Sequence, residues 1–289
     1  MLLRAVCFGE VLWDVFPNHK KIGGAPLNVA LRLQSFGVDT TMISSVGKDE
    51  NGREIQVYLN ESNLVSSSIQ ENSLFKTGVV TVELDDAGSA TYEIDYPTAW
   101  DNIHLLERDI KIIKKSDVLI YGSLSCRNEV SKNALTILQE YSGFNVFDVN
   151  LRAPHYNKTV LQSLLKKADF IKFNNDELLE ICHLFSLNTN SLEEQVKAMA
   201  QYSKVSKICV TQGEKGAVLF IENKFYYNSG IPTEVIDTVG AGDSFLASLV
   251  FKLLSKESYQ KSLDFACAIG SYVAGCKGAN PEIDYSLFK

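Results

Sequence analysis

The 289-residue chain lacks the features that mark several classes of protein. A formal net charge of -7 leaves no basic excess, so we expect neither nucleic acid nor an anionic membrane as a partner. No apolar stretch approaches the ~20 residues that span a bilayer. The apolar run Leu2–Phe8 is short, has no cleavage-site pattern and precedes Glu10 and Asp14. These absences predict a cytoplasmic protein without an export signal.

The cysteines and histidines have no arrangement typical of metal or redox chemistry. The six cysteines include no CxxC pair, and the four histidines lack metal-ligand spacing. Most of the cysteines lie in apolar runs, which favours buried free thiols over disulfides. No GxGxxG fingerprint follows the first predicted strand, which argues against a nucleotide-dependent oxidoreductase. The chain also has no linker, low-complexity tract or internal repeat, which predicts one large α/β domain with a small appendage.

What the sequence does contain is an alternation of short β-rich runs with helical runs. This spacing predicts right-handed βαβ crossovers, and therefore a mostly parallel sheet that helices cover on both faces. In chain order the predicted elements are Ala5–Phe8, Pro26–Phe36, Thr40–Val46, Glu50–Asn60, Asp117–Tyr121, Glu129–Tyr141, Asn145–Val149, Val160–Lys167, Phe170–Phe173, Asp176–Phe185, Leu192–Tyr202, Lys207–Thr211, Gly216–Glu222, Lys224–Tyr227 and Phe245–Leu254.

One segment departs from this alternation. Lys76–Leu84 and Ser89–Tyr96 are typical of two strands joined by a turn at residues 85–88. Their polar and apolar residues alternate, which indicates a sheet with one face in water. Together with Leu12–Ile22 they predict a small sheet over residues 12–22 and 74–102, beside a core over residues 1–11, 23–73 and 103–289. Such a sheet could be a lid, an oligomerisation surface or both.

Polar or glycine-rich clusters lie where the predicted strands end or the first helix begins. The clusters occupy residues 9–14, 23–28, 148–152, 174–177 and 211–216. In open parallel sheets, ligands bind at the carboxyl ends of the strands. Several clusters at one edge therefore predict a binding site there.

The segment Asp237–Phe245, DTVGAGDSF, places small residues directly before the carboxylate of Asp243. A small-residue turn that leads into a helix N-terminus binds anions, because free amides and the helix dipole both favour negative charge. A carboxylate there is unfavourable unless it takes a proton from a nucleophile that attacks the anion. The segment alone is equally compatible with a glycine-rich turn that carries a capping aspartate.

Two segments in this order, GGAPLNVA (Gly23–Ala30) and DTVGAGDSF, resemble the paired signatures of the PfkB (ribokinase-like) carbohydrate kinases. The likeness extends from about residue 5 to residue 283, and GEVLWD, GSLSCRN, DVNLR and NNDE are most similar to the fructokinase branch. The resemblance implies a three-layer αβα core with a small β lid. It also implies transfer of the γ-phosphoryl group of ATP to the primary hydroxyl of fructose, giving fructose 6-phosphate and ADP.

Other activities on the same scaffold remain open at this point. A kinase of ribose, of a 2-keto-3-deoxy sugar acid or of a nucleoside would carry the same signatures. An inactive sugar sensor or an assembly partner is a further alternative. The lids of this family often pair, so the resemblance also permits a homodimer through the lid.

The resemblance assigns roles to the residues that match the signatures. Asp243 matches the catalytic base, and its neighbours Gly240, Ala241 and Gly242 match an anion hole whose amides neutralise the transferring phosphoryl group. Asp14, Gly23, Gly24 and Asn28 match the sugar-binding positions. Arg152 resembles the arginine of the fructokinase DxNxR signature, and Arg127 is a second candidate near the substrate.

The resemblance also predicts a nucleotide and cation site. Asn174 and Glu177 match the NxxE motif that places Mg²⁺ and the phosphates, often through water, although both could simply cap a helix. Thr211, Gly213 and Gly216 resemble the segment beneath the nucleotide phosphates, and Lys277 and Gly278 belong to a loop of the adenine pocket. Some family members bind a monovalent cation, and the resemblance places K⁺ beside Asp237.

Overall fold

The computed structural model describes residues 2–64, 67–84, 90–187 and 189–288. Within these residues the strands are β1 (Arg4–Phe8), β2 (Leu12–Phe16), β3 (His19–Gly23), β4 (Asp39–Gly47), β5 (Ile69–Asn72), β6 (Gly78–Leu84), β7 (Ala90–Ile94), β8 (Val118–Gly122), β9 (Asn145–Asp148), β10 (Phe170–Asn174), β11 (Lys207–Thr211), β12 (Ala217–Ile221) and β13 (Lys224–Asn228). The α-helices are α1 (Ala25–Ser35), α2 (Glu50–Glu61), α3 (Glu107–Ile113), α4 (Glu129–Tyr141), α5 (Lys158–Lys167), α6 (Asn175–Leu184), α7 (Leu192–Ser203), α8 (Ala241–Leu254) and α9 (Tyr259–Ala274).

The described strands form two sheets. The larger sheet has nine strands in the order β13-β12-β11-β10-β9-β8-β1-β4-β5. Neighbours from β11 to β5 are parallel, whereas β12 and β13 pair antiparallel at one edge. The mostly parallel sheet that the sequence predicts is therefore confirmed.

Helices pack on both faces of the larger sheet because its central strands are apolar on both sides. Along β1, Ala5 and Cys7 join a buried cluster that contains residues of α1, α8 and α9. Val6 and Phe8 point to the opposite face, as alternation along a strand requires, and join residues of α4 to α7. The result is the three-layer αβα core.

The smaller sheet has the order β3-β2-β6-β7 and its own apolar cluster around Leu12, Val80 and Val82. It is tied to the core by Trp13, whose Nε1 donates to the carbonyl of Asn51 at 3.1 Å. The turn predicted at residues 85–88 lies outside the described residues. The exact boundary of a lid stays a prediction.

Some elements differ from the sequence-based expectation. The alternation does not predict β5, α3 or α9, and α8 begins at Ala241 rather than at Phe245. Gly240 and Gly242 disfavour a helix by intrinsic propensity. The bond from the amide of Ser244 to the carbonyl of Gly240, at 2.8 Å, nevertheless closes the first turn. In α9, small residues and Gly270 interrupt the apolar period, which hides the helix from pattern analysis.

Two smaller expectations can also be compared with the structure. All six cysteines are free, and five of them are buried, so the expectation of buried free thiols is confirmed for those five. Among the described residues, no helix has both the length and the apolar character needed to cross a membrane.

Candidate active site

The predicted site residues lie at the carboxyl edge of the larger sheet and at the starts of α1 and α8. Asp243 is in the first turn of α8, and the N-cap residue of that helix is Gly240 with φ of 76°. A Cβ on Gly240 would lie 2.5 Å from Cα of Ala279, so only glycine lets the 277–280 loop pack against the helix start. This packing brings the C-terminal loop to the predicted anion hole.

Two asparagine side chains, linked by hydrogen bonds, hold the carboxylate of Asp243. Nδ2 of Asn28 donates to Oδ2 of Asp243 at 2.8 Å. Nδ2 of Asn280 in turn donates to Oδ1 of Asn28 at 3.0 Å. Asn28 is therefore a bridge between α1, the start of α8 and the C-terminal loop, and it fixes the orientation of the carboxylate.

Asp243 holds its proton more tightly in this site than an aspartate does in water. Burial, together with the nearby charge of Asp148, raises the pKa of Asp243 to about 6. The Asn28 hydrogen bond and the cations of Lys172 and Arg152 oppose this rise in the pKa. The carboxylate is thus charged at neutral pH, yet it is far more basic than an ordinary aspartate.

Asp14, Gly23 and Gly24 lie together at the junction of the two sheets. A Cβ on Gly23 would overlap Oδ2 of Asp14, and a Cβ on Gly24 would overlap the carbonyl oxygen of Glu10. Both glycines are therefore required by close approach. Burial raises the pKa of Asp14 to about 6, although the charges of Arg152 and Lys21 lower it.

The two predicted arginines have different surroundings. Arg152 is exposed, and its Nη1 donates to the carbonyl of Leu151 at 2.9 Å. Its charge lowers the pKa of Asp243, of Asp14 and of Glu10, which puts it among the carboxylates of the site.

The side chain of Arg127 is 3% exposed and is engaged elsewhere. Its Nε and Nη2 donate to the two oxygens of Asp101 at 2.6 and 2.8 Å, and its guanidinium lies 4.0 Å from the ring centroid of Trp100. This bidentate pair anchors the 3₁₀ helix of residues 99–102. Its Nη1 is buried without a partner in the described structure, so one donor remains for a ligand.

Asn174 and Glu177 form a reciprocal helix cap at the start of α6. Oδ1 of Asn174 accepts from the amide of Glu177 at 2.8 Å, and Oε2 of Glu177 accepts from the amide of Asn174 at 2.8 Å. Oε1 of Glu177 also accepts from the amide of Leu151 at 3.1 Å, which ties the Arg152 loop to α6. The capping interpretation is correct for both residues, and it does not exclude a role toward a hydrated ion.

The glycines predicted beneath the phosphates are of two kinds. A Cβ on Gly216 would overlap the carbonyl oxygen of Asn228, so packing alone requires this glycine. Gly213 has φ of 60°, but a Cβ there would meet nothing within 4 Å. Thr211, at the end of β11, donates from Oγ1 to the carbonyl of Phe173 at 3.4 Å. There is therefore room for a Cβ at Gly213 but not at Gly216.

Asp237 is surrounded by donors. Its carboxylate accepts from the amide of Val239 at 3.0 Å and from the amide of Gly278 at 3.1 Å, and Nζ of Lys21 lies 3.4 Å away. Burial acts to raise the pKa of Asp237, but these donors outweigh burial and lower the pKa below its ordinary value. Lys21 belongs to β3, so this ion pair joins the smaller sheet to the core. Lys277 is exposed beside Gly278.

The sequence did not assign individual roles to three residues that the structure places at the site. Asn280 completes the amide chain to Asp243, and Lys172 is a buried cation whose Nζ donates to Oδ1 of Asp148 at 2.9 Å. Glu10 is 2% exposed, one of its carboxyl oxygens has no partner among the described residues, and burial raises its pKa to about 7. A lysine inside the apolar strand FIKFN was the one visible signal for Lys172.

Comparison with known proteins agrees with the fold described above. The fold is that of the ribokinase-like kinases. The family model described as "pfkB family carbohydrate kinase" matches residues 4–284. The chain belongs to this family.

Several relatives align over nearly the whole chain. A probable chloroplastic fructokinase-6 of Arabidopsis thaliana is 26% identical, over 96% of this chain and 79% of the relative. The structure of a double mutant of Vibrio cholerae fructokinase, with fructose, ADP and potassium bound, matches with a TM-score of 0.81 and 26% identity, over 96% of this chain and 94% of that one. A putative ribokinase II of E. coli, at 20% identity, a TM-score of 0.84 and coverage of 96% and 94%, supports the fold.

Proposed function

We propose that this protein is an ATP-dependent fructokinase that phosphorylates the primary hydroxyl of fructose. The observation that carries the proposal is the carboxylate of Asp243, held by Asn28 at 2.8 Å in the first turn of α8. A base and an anion hole then share one helix turn. Similarity to fructokinases at 26% identity supports the choice of sugar.

In the proposed reaction Asp243 takes the proton from the sugar hydroxyl while the oxygen attacks the γ-phosphorus of ATP. The bond between that phosphorus and the β–γ bridging oxygen breaks, and ADP leaves. The amides at residues 240–242 and the dipole of α8 stabilise the charge on the transferring group. Because the pKa of Asp243 is about 6, most of this carboxyl is ready to accept a proton at neutral pH.

The sugar would lie between the two sheets. Asp14 supplies acceptors for hydroxyl groups, and Gly23 and Gly24 let the sugar approach the backbone. Both polar atoms of the Asn28 amide are already engaged, so its first task is to orient the base. Arg152 is exposed, which leaves its guanidinium able to bind a sugar oxygen or a phosphate. Arg127 has one donor, Nη1, left for the same purpose.

The nucleotide would lie across the ends of β10 and β11, with its phosphates over Thr211, Gly213 and Gly216. Ile236 is 57% exposed although it is apolar, which fits a wall for an adenine ring beside Lys277 and Gly278. Exposure to water does not stabilise the apolar side chain of Ile236, whereas contact with the adenine ring would bury it.

The residues at the phosphate site fit a hydrated Mg²⁺. Both carboxyl oxygens of Glu177 accept from backbone amides, so Glu177, oriented by Asn174, would hold the ion through water. When bound, Mg²⁺ neutralises charge on the phosphates. The carboxylate of Asp237 does not fit a K⁺ ligand in the same way, because two amides and Lys21 surround it. We assign K⁺ no step.

We also propose that the smaller sheet closes over the sugar and excludes water, which would otherwise hydrolyse ATP. The Lys21–Asp237 ion pair across the site supports this role. A homodimer through this sheet remains a proposal. Light scattering on the purified protein tests it, since a monomer would remove the sheet as a dimer interface.

A panel of substrates tests the function. ADP release is measured with ATP, Mg²⁺ and, in turn, fructose, ribose, a 2-keto-3-deoxy sugar acid and a nucleoside. We expect the highest kcat/KM with fructose. NMR of the product should show the phosphoryl group on the primary hydroxyl of fructose. A higher kcat/KM for another substrate would replace fructose on the same scaffold. Absence of ADP release with all of them, despite calorimetric binding, would indicate an inactive sensor.

A further inference from the structure

We propose that the buried pair of Asp148 and Lys172 sets the proton affinity of Asp243, with the two side chains acting in opposite directions. Neither residue touches the sugar in this account, so both are positioning residues that act through the base. The inference rests on the proposed function, because it requires Asp243 to be the proton acceptor.

The pair lies directly beneath the anion hole. Asp148 ends β9, and Lys172 is its register partner on β10. Nζ of Lys172 donates to Oδ1 of Asp148 at 2.9 Å, and the side chains are only 8% and 6% exposed. A Cβ on Gly242 would lie 3.5 Å from that Nζ, so the ammonium is against the first turn of α8, one residue from Asp243.

The stability of the fold does not by itself explain why an ion pair is buried at this position. Removing two charges from water is costly, and well-packed apolar residues in their place are often neutral or stabilising. The neighbours of Lys172 along β10, Ile171 and Phe173, are both fully buried and apolar. Oδ2 of Asp148 is buried and has no hydrogen-bond partner within the described residues. A bridge built only to hold the strands would satisfy this oxygen.

Charged groups face Asp243 from several elements. Asp148 on β9 and Glu10 after β1 oppose its negative charge, whereas Lys172 on β10 and Arg152 after β9 favour it. Asn28 on α1 is neutral and donates a hydrogen bond to it. Lys172 also lies near Glu177. The dipole of α8 adds a positive field at its N-terminus.

Removing the charge of Asp148 and removing the charge of Lys172 should change the proton affinity of Asp243 in opposite directions. In Asp148→Asn the base loses a repelling charge and Lys172 is freed to face it, so Asp243 should lose its proton more readily. In Lys172→Met the base loses an attracting charge and keeps the unpaired repelling one, so its proton should be held more tightly. A purely structural bridge would weaken the fold in both variants without such a difference in sign.

The test is the acid limb of the pH profile of kcat/KM for the sugar, which reports the base of the free enzyme. We expect the midpoint to move down by about one pH unit in Asp148→Asn and up by about one unit in Lys172→Met. The double variant should return close to the wild-type midpoint. Asp109→Asn is the matched control, because Asp109 is fully buried and bonded to Ser68 but is not among the charges that act on Asp243. The midpoint of its acid limb should not move.

The outcomes separate this inference from the proposed function. An unmoved or raised midpoint in Asp148→Asn, while Asp243→Asn is inactive, would overturn the inference alone. Full turnover in Asp243→Asn would overturn the role of the base itself. If Lys172→Met does not fold, Asp148→Asn still decides, because it is isosteric and keeps Lys172 in place. If the panel selects another sugar, the profile is measured with that sugar.

Discussion

Two aspartates of one nine-residue segment have opposite surroundings. Asp237 accepts from two backbone amides and an ammonium, and these donors lower its pKa. Asp243, six positions later, is partly buried near the charge of Asp148, and its pKa rises to about 6. The carboxylate of Asp237 is thus kept charged, whereas the carboxylate of Asp243 is ready to take a proton.

The local amino-acid composition does not account for the difference between these two aspartates. Both residues belong to the segment DTVGAGDSF, in which Asp237 precedes α8 and Asp243 lies in the first turn of that helix. The difference comes from what the fold packs against each of them. For Asp237 this is the loop of Gly278 and the smaller sheet, and for Asp243 it is Asn28 and the ends of the central strands.

The largest expected effect separates the two aspartates in turnover. Asp243→Asn should lower kcat by at least ~10²-fold, because general-base catalysis is lost. Asp237→Asn should lower it by less than ~10-fold, since its carboxylate orders a loop and takes no proton. Steady-state ADP release measures both, with sugar and nucleotide binding followed by calorimetry. Equal losses in the two variants would erase the distinction.

A smaller effect is expected at Gly242, the residue of the proposed anion hole that directly precedes the proposed base. Gly242→Ala meets only Nζ of Lys172, at 3.5 Å, so the fold should tolerate it and the helix should gain up to about 1 kcal/mol. Turnover should nevertheless fall by ~10-fold or more if a phosphoryl group approaches this amide. Thermal melting and kcat are measured together, with Gly143→Ala, where a Cβ has open space, as the control. Unchanged turnover would place the phosphoryl group elsewhere.

The smallest effect concerns stability, and its sign differs between the aspartates. The folded protein keeps a proton on Asp243 between pH 4 and 6 that the unfolded chain has lost, so this group makes stability fall as pH rises through that window. Asp243→Asn should therefore raise the free energy of unfolding at pH 7 by about 1 kcal/mol. Asp237 has a lowered pKa, so its contribution is present at pH 7 and is lost as the pH falls below its folded pKa.

Denaturant unfolding at pH 5 and pH 7 measures these differences in the absence of ligands. Asp237→Asn should lower stability at pH 7, opposite to Asp243→Asn. If both substitutions lowered stability at pH 7, the surroundings of Asp243 would not disfavour its charge in the way described.

The fold could be predicted from sequence where a local pattern determines it. Apolar strands such as Lys207–Thr211 and the helix Glu129–Tyr141 are bounded by turn residues, and their observed limits match the expected ones. The helix α9 was not predicted, because it is covered by α8 and β13 and therefore lacks a clean polar face. The first turn of α8 was not predicted, because packing there overrides the low helix propensity of glycine.

The site was predictable only to the extent that motifs mark it. Asp243 and Asn28 stand in two recognisable segments, and the structure joins them although they are 215 positions apart. Asn280 bonds to Asn28 across 252 positions, and no local feature of its loop announces that contact. Lys172 could not be assigned because its contact with Asp148, on which its proposed role rests, depends on the register between β9 and β10. Motifs therefore point to the proposed base, while only tertiary contacts reveal the groups that are proposed to tune it.

The most direct test of the account is the pH profile of kcat/KM in the wild-type protein and in Asp237→Asn. We expect activity to rise with a midpoint near pH 6, as the pKa of Asp243 requires, and the same midpoint in Asp237→Asn. A profile that stays flat down to pH 5, or a midpoint that moves when Asp237 is replaced, would contradict the assignment of Asp243 as the proton acceptor.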